Sequence, residues 1–364
     1  IRTIVDVVKC GIDSTAVQHQ RYANEAKRFV GRLTFHEHRR RPFLHVENVE
    51  MSLFGADFIS NLGSYLSCDE NEDPDVQFCR GGYLFLATDK GMDVLRENHR
   101  VQTDVGADVD LMTPKQLKES MPWLNVDGLA GASYGASNEG WFDPWSLLSC
   151  FRKKASSLGV EYVHGTVRDV VSDNGNARCV CVEHNDGRSL AIDCGIVVNA
   201  AGPLAGHVHE MVCANEPIEL PVRPRKRNVY VLHCPDGPGQ SCPMVIDPSG
   251  FYVRREGNGG HYLCGKSPRA EDDPDVTLNH LDDVNARTFD VDHDFFENEI
   301  WEDLATRIPA FEQLKVVNSW YVQRTHSRRI TACVTNASFS KRTGVECTNI
   351  TRSIKTQSSG LILT

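Results

Sequence analysis

Residues 193–205 constrain the fold more than any other part of this sequence. The apolar, β-branched run 196–198 is typical of a buried strand. The small residues 199–202 follow it, and Pro203 then opens a segment whose apolar spacing predicts a helix. A strand, a small-residue turn and a helix start form a place where backbone N–H groups can approach a phosphate or a ribose. The same pattern also suits a tightly packed connection that binds nothing.

Length and charge limit the class of protein. A chain of 364 residues suggests two domains, or one large domain with insertions. No stretch reaches the roughly 18 consecutive apolar residues of a membrane helix, so we expect a soluble protein without a transmembrane segment. The net charge of -10 argues against nucleic acid as the main partner. Residues 1–45 and 321–364 are nevertheless basic, whereas the body between them is strongly acidic.

The cysteines predict neither a metal site nor a disulfide framework. There are 13 of them, an odd number, and none are spaced as Cys-x-x-Cys. We therefore expect most of them to be small buried hydrophobic residues in a reducing compartment, and we predict no metal ligands.

Periodicity predicts an alternation of helices and strands through the middle of the chain. Met51, Phe54, Phe58 and Leu62 lie at helical spacing and predict a buried stripe on an amphipathic helix. Asp143 and Pro144 predict a helix start, and Gly159 predicts its end. Two strands and a hairpin around residues 185–187 then lead to the strand at 196–198.

The C-terminal half predicts a sheet followed by a helix and an unstructured tail. Residues 229–233, 251–255 and 261–264 read as strands, and residues 292–308 read as a helix packed on one side. From Tyr321 onward the chain is rich in Ser, Thr and Arg without sustained periodicity. This composition predicts a disordered or loosely attached tail.

Several motifs between about 47 and 320 point to one protein family. They include Glu139-Gly-Trp-Phe-Asp-Pro-Trp145, Val198-Asn-Ala-Ala-Gly-Pro203, Ile246-Asp-Pro-Ser-Gly250 and Leu263-Cys-Gly-Lys-Ser-Pro268. With these motifs the chain resembles the D-amino-acid oxidase and sarcosine dehydrogenase group of FAD-dependent amine oxidoreductases. The resemblance implies an α/β fold in which a Rossmann-type FAD/NAD(P)-binding domain is interwoven with an antiparallel-sheet α+β substrate domain.

The resemblance also implies how the chain is divided. Residues 46–75 would form a helix of the FAD domain, 76–137 the first part of the substrate domain, 138–215 the FAD-binding domain and 216–320 the second part of the substrate domain. Residues 1–45 are an unassigned, divergent N-terminus, and residues 321–364 are an unassigned basic tail.

Candidate site residues follow from the same resemblance. The backbone near Val167 is expected to meet the adenine end of FAD, and Ala200, Ala201 and Gly202 are expected to close over the ribose and pyrophosphate. Tyr252 and Arg254 alternate on one strand and so face one side, while Lys266 lies at the end of the next strand. A cation over the flavin suits a substrate carboxylate, and the three residues are the candidate catalytic set for hydride removal from a C–N bond. They could equally be rim residues of an ordinary sheet.

Both ends of the chain depart from the family pattern. The family opens with a strand, a Gly-x-Gly-x-x-Gly turn and a later acidic residue. The only glycines in residues 1–45 of this chain are Gly11 and Gly31. The chain therefore lacks the fingerprint of the first βαβ unit. The glycine-rich segment that meets the flavin ring is replaced by the basic tail. We expect weak or absent FAD binding by this chain.

The expected function is that of an FAD-dependent oxidoreductase acting on a small amine or amino-acid-like substrate. The branch of the family that the motifs resemble most is mitochondrial, in the matrix or at the inner membrane, and is implicated in assembling respiratory complex I. That resemblance implies complex I subunits or assembly factors as partners. The alternatives are a non-catalytic, chaperone-like assembly factor and an incomplete product that does not bind FAD.

Overall fold

The fold is described from a computed structural model. It covers residues 2–6, 45–69, 73–173, 176–212, 220, 222–273, 275, 291–327 and 360–363. Within these residues, no helix is long and apolar enough to cross a membrane.

The described residues alternate between strands and helices. The strands are β1 (Arg2–Asp6), β2 (Tyr83–Ala87), β3 (Asp110–Met112), β4 (Gly131–Gly135), β5 (Val160–His164), β6 (Thr166–Asp173), β7 (Asn176–Glu183), β8 (Ser189–Asp193), β9 (Ile196–Asn199), β10 (Val222–His233), β11 (Met244–Ile246), β12 (Phe251–Glu256), β13 (His261–Lys266), β14 (Lys315–Ser327) and β15 (Gly360–Leu363). The helices are α1 (Val46–Ser60), α2 (Leu62–Leu66), α3 (Asp89–Asp104), α4 (Pro114–Ser120), α5 (Pro144–Ser157), α6 (Ala205–Val212), α7 (His293–Glu299) and α8 (Trp301–Arg307).

Local sequence accounts for several helix boundaries. The Thr113 hydroxyl oxygen accepts a hydrogen bond from the backbone N–H of Gln116, and the Gln116 side-chain oxygen accepts one from the backbone N–H of Thr113, so α4 begins with a capping box. Asp143 accepts hydrogen bonds from the N–H groups of Trp145 and Ser146 at the start of α5, with Pro144 in the first turn. The predicted start of α5 at Asp143-Pro144 is confirmed.

An eight-stranded sheet forms the larger core, with the order β14-β10-β13-β12-β11-β2-β4-β3. One face packs against α4, α7 and α8. The packed side chains include Leu84, Tyr230, Leu232, Phe251, Val253, Leu117, Ile300 and Leu304, each of them fully buried. The opposite face carries Tyr83 and Phe85 beneath α3, and a second cluster around Val229 and Leu263. The mixed sheet is therefore covered on both sides.

A separate four-stranded parallel sheet has the order β5-β1-β15-β9. Thr3 pairs with Glu161 on one side and with Leu361 on the other, and Ile362 pairs with Val198. A parallel sheet that includes the strand before the small-residue turn agrees with the Rossmann-type expectation. An antiparallel sheet, β6-β7-β8, packs beside it through Val167, Val180 and Val182.

The first residues of the chain can be interpreted as a strand from sequence, and the structure agrees, whereas it differs from the expectation for the C-terminal tail. The segment Arg2–Asp6 supplies a strand to the parallel sheet, although the Gly-x-Gly-x-x-Gly sequence that normally follows such a strand is absent. The expected disorder of the tail does not hold for residues 321–327, which continue β14 opposite β10, or for residues 360–363. Long-range strand pairing overrides the weak local pattern in these segments. The rest of the tail lies outside the described residues.

The buried stripe expected on α1 is also only partly correct. Leu62 is buried, but Met51 is 57% exposed and Phe54 is 62% exposed. The Phe54 ring stacks on Phe58, and Phe58 in turn stacks on Phe151 of α5. Leu62 belongs to α2, and the buried residues of α1 are Val49, Ala56 and Ile59, so helical spacing predicted the helix but the wrong buried face.

Candidate functional site

The small-residue turn lies at the carboxyl edge of the parallel sheet. Strand β9 ends at Asn199, whose side-chain amide donates to the carbonyl of Ala205 at 2.8 Å and accepts from the N–H of Ala201 at 3.3 Å. This side chain therefore fixes the turn. Gly202 adopts a φ of +53°, and a Cβ at this position would have no atom within 4 Å. The turn keeps open space on its outer side.

Val167 contributes only its backbone to any ligand contact. Its side chain is 2% exposed and packs with the valines of β7 and with Val208 of α6. The pairing of β6 with β7 shifts register between Val167 and Asp169, which is a β-bulge. A bulge leaves backbone groups outside the regular ladder, which suits the expected contact with an adenine ring.

These features test whether the chain fits an FAD. Ala200 and Gly202 are exposed and Ala201 is half-buried, and this turn of small residues lies at the carboxyl ends of parallel strands, where open α/β sheets bind their ligands. Among the described residues, this turn and the bulge at Val167 would hold the nucleotide. The residues between β1 and α1 lie outside the described part of the chain. The described residues fit the adenosine end of the cofactor.

Arg254 is the most distinctive residue of the large sheet. It is 1% exposed, its Nη1 donates to the carbonyl of Arg255 at 2.7 Å, and the same atom pairs with Glu256. Its Nη2 is buried and has no hydrogen-bond acceptor among the described residues. A buried donor left without a partner costs roughly 1–3 kcal/mol. The structure therefore places an unsatisfied cationic donor inside the protein.

Tyr252 and Arg254 share one face of the sheet, as predicted from their alternation. Tyr252 lies opposite Gly265 in the register of β12 and β13, and its hydroxyl would be only 2.5 Å from a Cβ on that glycine. Gly265 thus makes room for the Tyr252 ring. Arg254 lies opposite Leu263 on the same face.

Lys266 does not lie on the sheet face that Tyr252 and Arg254 share. It pairs with Phe251, so it lies on the opposite face, where the large core is. Its Nζ donates to the carbonyl of Glu299 at 2.6 Å and to Asp303 at 3.1 Å. Lys266 therefore ties the sheet to α7 and α8, and placing it beside Tyr252 and Arg254 was wrong about the face of the sheet.

Trp141 is a site residue that the sequence reasoning did not single out. Its ring lies against Gly81, where any Cβ would overlap it. The guanidinium carbons of Arg254 and Arg255 lie 5.2 and 5.4 Å from the centre of the ring. Cation–π contacts of this kind hold guanidinium groups in a fixed place. The motif containing Trp141 was noted, but only as a family marker.

Arg255 also contacts a thiol. Its Nη2 donates to the Sγ of Cys79 at 2.8 Å, and Cys79 pairs with Trp141 through an isolated bridge. Burial raises the pKa of the nearby Cys242 thiol to about 12, so this cysteine stays protonated. In the described part of the chain, no group of three or more His, Cys, Asp or Glu residues is placed to hold a metal ion.

Glu139 is the second residue that sequence reasoning missed. Its carboxyl lies against Gly135, where an added Cβ would be 2.7 Å from Oε2. Burial raises the pKa of Glu139 to about 8. The same environment raises the pKa of Tyr134, first through burial and then through the charge of Glu139. A carboxyl that is mostly protonated at neutral pH is a candidate for proton transfer.

Comparison with known proteins gives the family. The family model described as FAD dependent oxidoreductase (DAO) matches residues 46–332. The chain is 44% identical over 302 residues to FAD-dependent oxidoreductase domain-containing protein 1 of Xenopus laevis, covering 77% of this chain and 58% of the relative. It is 40% identical over 303 residues to the protein of the same name from Bos taurus, covering 77% and 60%. The chain thus spans only about 58–60% of the length of these relatives.

Solved structures agree on the fold. L-proline dehydrogenase from P. horikoshii superimposes with a TM-score of 0.63 at 20% identity, covering 90% of this chain and 82% of that protein. Glycine oxidase from Geobacillus kaustophilus gives a TM-score of 0.59 at 21% identity, covering 79% and 69%. Together with the family model and the curated relatives, these findings show that the chain belongs to the DAO family of FAD-dependent oxidoreductases.

Proposed function

We propose that this chain oxidises a small amine or amino-acid-like substrate with FAD as the electron acceptor, and that Arg254 binds the carboxylate of the substrate. One observation carries the proposal: the Nη2 of a 1% exposed arginine has no acceptor among the described residues. A substrate carboxylate would supply that acceptor. Charge-assisted hydrogen bonds of this kind are roughly twice as strong as neutral ones.

The surroundings of Arg254 support this role. Its Nη1 is already held by the Arg255 carbonyl and by Glu256, and its plane lies beside Trp141. The guanidinium is therefore oriented before any ligand arrives, which lowers the entropic cost of binding. Leu263 and Val229 on the same face are 5% and 4% exposed, so they would exclude water from the bound substrate.

The chemistry divides between cofactor and protein. When bound, FAD supplies the acceptor for the hydride that leaves the carbon next to nitrogen. Arg254 would fix the carboxylate, and through it the distance and angle of the reacting C–H bond. Tyr252, on the same strand and face, would shape the pocket beside that carboxylate.

The test is reduction of bound flavin by candidate substrates. The chain is purified with FAD, desalted, and mixed without oxygen with N-methyl and primary amino acids while the flavin absorbance is followed. We expect Arg254→Gln to lower the second-order rate of reduction about 10- to 100-fold, because one hydrogen bond to a charged group contributes about 1.5–3 kcal/mol. Arg96→Gln, at a 60% exposed position, is the matched control. Equal rates for wild type and Arg254→Gln would contradict the proposal.

FAD affinity is a separate part of the proposal. We infer that this chain holds FAD more weakly than its longer relatives, because no Gly-x-Gly-x-x-Gly sequence follows β1. Equilibrium dialysis of the chain and of the Xenopus laevis relative against FAD measures the difference. Equal dissociation constants would overturn this part.

A second candidate function is assembly of mitochondrial respiratory complex I, with its subunits or assembly factors as partners. One observation favours it: Phe54 and Phe151 are 62% and 45% exposed and belong to one aromatic cluster on α1 and α5. Contiguous exposed apolar surface is typical of protein–protein contacts.

Proximity labelling in intact cells tests this second function. The wild-type chain is expected to label complex I components in mitochondria, and a Phe54→Glu/Phe151→Glu variant is expected to lose that labelling while it keeps flavin reduction. Leu190→Glu, at another exposed apolar position, is the control. Labelling that survives the double substitution, or labelling outside mitochondria, would count against this role.

A further inference from the structure

Strand β7 carries two cysteines on one face of the small antiparallel sheet β6-β7-β8. Cys179 and Cys181 lie two residues apart, and alternate side chains of a strand point to the same face. The residues that alternate with them, Val180 and Val182, are fully buried and pack in the core beside the parallel sheet. The two thiols therefore lie on the other face of the sheet, away from that core.

The two thiols are close to each other and accessible from solvent. Both are half-buried, and neither forms a disulfide. Burial raises the pKa of the Cys179 thiol, and so does Cys181, whose side chain forms a hydrogen bond with it. Val171, which pairs with Cys179 on the neighbouring strand, is 45% exposed, so this part of the face is open.

The spacing of the pair is wrong for a disulfide but suits a bridging ion. Two residues of a strand rise about 6.6 Å, so the two Cβ atoms are separated by roughly that distance. A disulfide needs Cβ atoms about 3.5–4.5 Å apart. Two metal–thiolate bonds in line, each about 2.3 Å long, span about 4.6 Å between the sulfur atoms. Each sulfur has to lean only about 1 Å towards the other to reach that span.

Carboxyl groups flank the pair without completing a larger set of ligands. Asp193 pairs with Cys179, and Asp169 pairs with Cys181, so one carboxyl lies on each neighbouring strand. The Oδ1 of Asp169 accepts from the N–H of Val170 at 2.8 Å. Throughout the described ranges, groups of three or more His, Cys, Asp or Glu residues placed to hold a metal ion are absent. Any ion held here would be bound by the two thiols.

A third cysteine lies nearby but faces the other way. Cys194 directly follows the last residue of β8, is buried, and packs with Val180 and Val208 in the valine core. It therefore lies on the opposite face of the sheet from Cys179 and Cys181, and it does not provide a third sulfur ligand.

Ligand type and ligand number together select the ion. Structural zinc sites use four protein ligands, and catalytic zinc sites use three. Thiolates are soft ligands and favour Cu(I) among the metals of the cell. Cu(I) is also satisfied by two thiolates in a linear arrangement. The pair is therefore a complete ligand set for Cu(I) and an incomplete one for zinc.

We propose that Cys179 and Cys181 form a binding site for one Cu(I) ion, which is held by the two sulfur atoms alone. Binding breaks two S–H bonds and forms two Cu–S bonds, so two protons pass to solvent and no electron is transferred. The site goes beyond the proposed oxidation of an amine and does not depend on it, because Arg254 lies on the large sheet.

The test is competition for Cu(I) without oxygen. The full chain is reduced, freed of reductant and mixed with Cu(I) held by bicinchoninate, whose complex with the ion is coloured. Loss of the colour counts the ions that pass to the protein. X-ray absorption at the copper edge then reports the number and kind of atoms bound to the ion.

We expect the wild-type chain to take one Cu(I) ion at a bicinchoninate concentration at which Cys179→Ser/Cys181→Ser takes none. The apparent affinity should fall at least about 100-fold, because both metal–sulfur bonds are lost. X-ray absorption of the wild type should show two sulfur neighbours. Cys150→Ser, at another half-buried cysteine, is the control and should change the affinity less than about twofold.

A second variant tests the spacing and keeps the number of thiols. Cys181→Ser/Glu183→Cys leaves two cysteines on the same face of β7 but separates them by about 13 Å. The Glu183 side chain is 39% exposed, so we expect the fold to be kept, which circular dichroism checks. Cu(I) uptake should be lost as completely as in the double serine variant. Uptake that survives this change would overturn the bridging geometry.

Other results would overturn the site itself. Equal Cu(I) uptake by the wild type and by Cys179→Ser/Cys181→Ser would place the ion on other cysteines. Nitrogen or oxygen atoms bound to the copper would contradict a site made of two sulfur atoms. Preferential retention of Zn(II), lost in Asp193→Asn, would assign the pair to a divalent metal instead of Cu(I).

Discussion

The eight-stranded sheet and the four-stranded parallel sheet are built in opposite ways. The large sheet is covered on both faces, and Tyr230, Phe251 and Leu304 at its core are fully buried. The parallel sheet joins four short strands from distant parts of the chain, and Val198 on β9 is 40% exposed. The face that we propose binds the substrate is therefore backed by a dense core, whereas the edge that we propose binds the nucleotide depends on pairing between strands that are far apart in the sequence. We expect the first to be the more stable part of the molecule.

Removing strand β15 should have the largest effect on this comparison. Residues 360–363 lie between β1 and β9, so their deletion divides the parallel sheet. We expect amide exchange to become fast in residues 160–164 and 196–199, retained FAD to be lost, and protection in β12 and β13 to persist. Hydrogen exchange read by mass spectrometry measures all three segments. Loss of protection in β12 as well would show that the two sheets unfold as one unit.

Truncating one fully buried side chain beside each sheet should destabilise the chain by different amounts. Phe251→Ala should lower the free energy of unfolding by about 3–5 kcal/mol, since the ring is fully buried in the large core. Val180→Ala, equally buried beside the parallel sheet, should cost about 2 kcal/mol because it removes less apolar surface. Denaturant titrations of both variants give the values. A larger loss for Val180→Ala would reverse the comparison.

The ion cluster on β10 should stabilise the large sheet in a pH-dependent way. Asp273 pairs with Arg225 and Arg227, each at 2.7 Å. Burial alone would raise the pKa of Asp273, but hydrogen bonds from Arg227 and Arg225 outweigh it and hold the pKa below the usual value. This stabilisation is present above the unfolded-state pKa and is lost as the pH falls through the folded one.

Asp273→Asn should therefore cost about 3 kcal/mol at pH 7 and much less at acid pH. Unfolding titrations at both pH values test this, with Asp93→Asn at a 96% exposed position as the control. An equal loss at both pH values would assign the effect to packing instead of charge.

Ionisation of Glu139 should destabilise the fold, unlike that of Asp273, because the Glu139 carboxyl is buried beside the large sheet. Its folded pKa of about 8 lies above the unfolded value of 4.5, so it destabilises the fold as the pH rises between the two. At about 1.4 kcal/mol per pH unit, the upper bound on this destabilisation is about 5 kcal/mol, and partial hydration of the carboxyl lowers it. Glu139→Gln should therefore stabilise the chain by about 2 kcal/mol at pH 8 and by little at pH 4.5. A destabilised variant at pH 8 would contradict this.

Lys266 should give the smallest effect. It binds Glu299 and Asp303 on the core face, away from Arg254. Lys266→Met should lower the free energy of unfolding by about 1 kcal/mol and leave the rate of flavin reduction by amino acids unchanged. Slower flavin reduction in this variant would restore Lys266 to the proposed substrate site.

Local features could be read from the sequence, but cross-strand relationships could not. The cap at Asp143 and the strand ending at Asn199 follow from residue types within a few positions. Alternation correctly placed Tyr252 and Arg254 on one face. The face of Lys266 depends on the pairing of Gly265 with Tyr252, and alternation within one strand cannot supply that register.

The same limit explains the missed site residues and the missed pairing of the N-terminal strand with the C-terminal one. Glu139 became a candidate only because Gly135 leaves space for its carboxyl, and the two are neighbours through a turn and not through periodicity. The pairing of residues 2–6 with residues 360–363 joins segments at opposite ends of the sequence. Neither has a local signal strong enough to predict the partner.

The position of β15 between β1 and β9 also determines when the parallel sheet can form during synthesis. Thr3 must pair with Leu361, so the parallel sheet closes only after the roughly 360 residues that separate the two strands have been synthesised. At 5–20 residues per second this delay is roughly 20 to 70 s. Throughout that interval the unpaired edge of β1 is exposed to aggregation and accessible to chaperones. Cofactor loading at the nucleotide edge would then be a late step in biogenesis, limited by translation and not by diffusion of FAD.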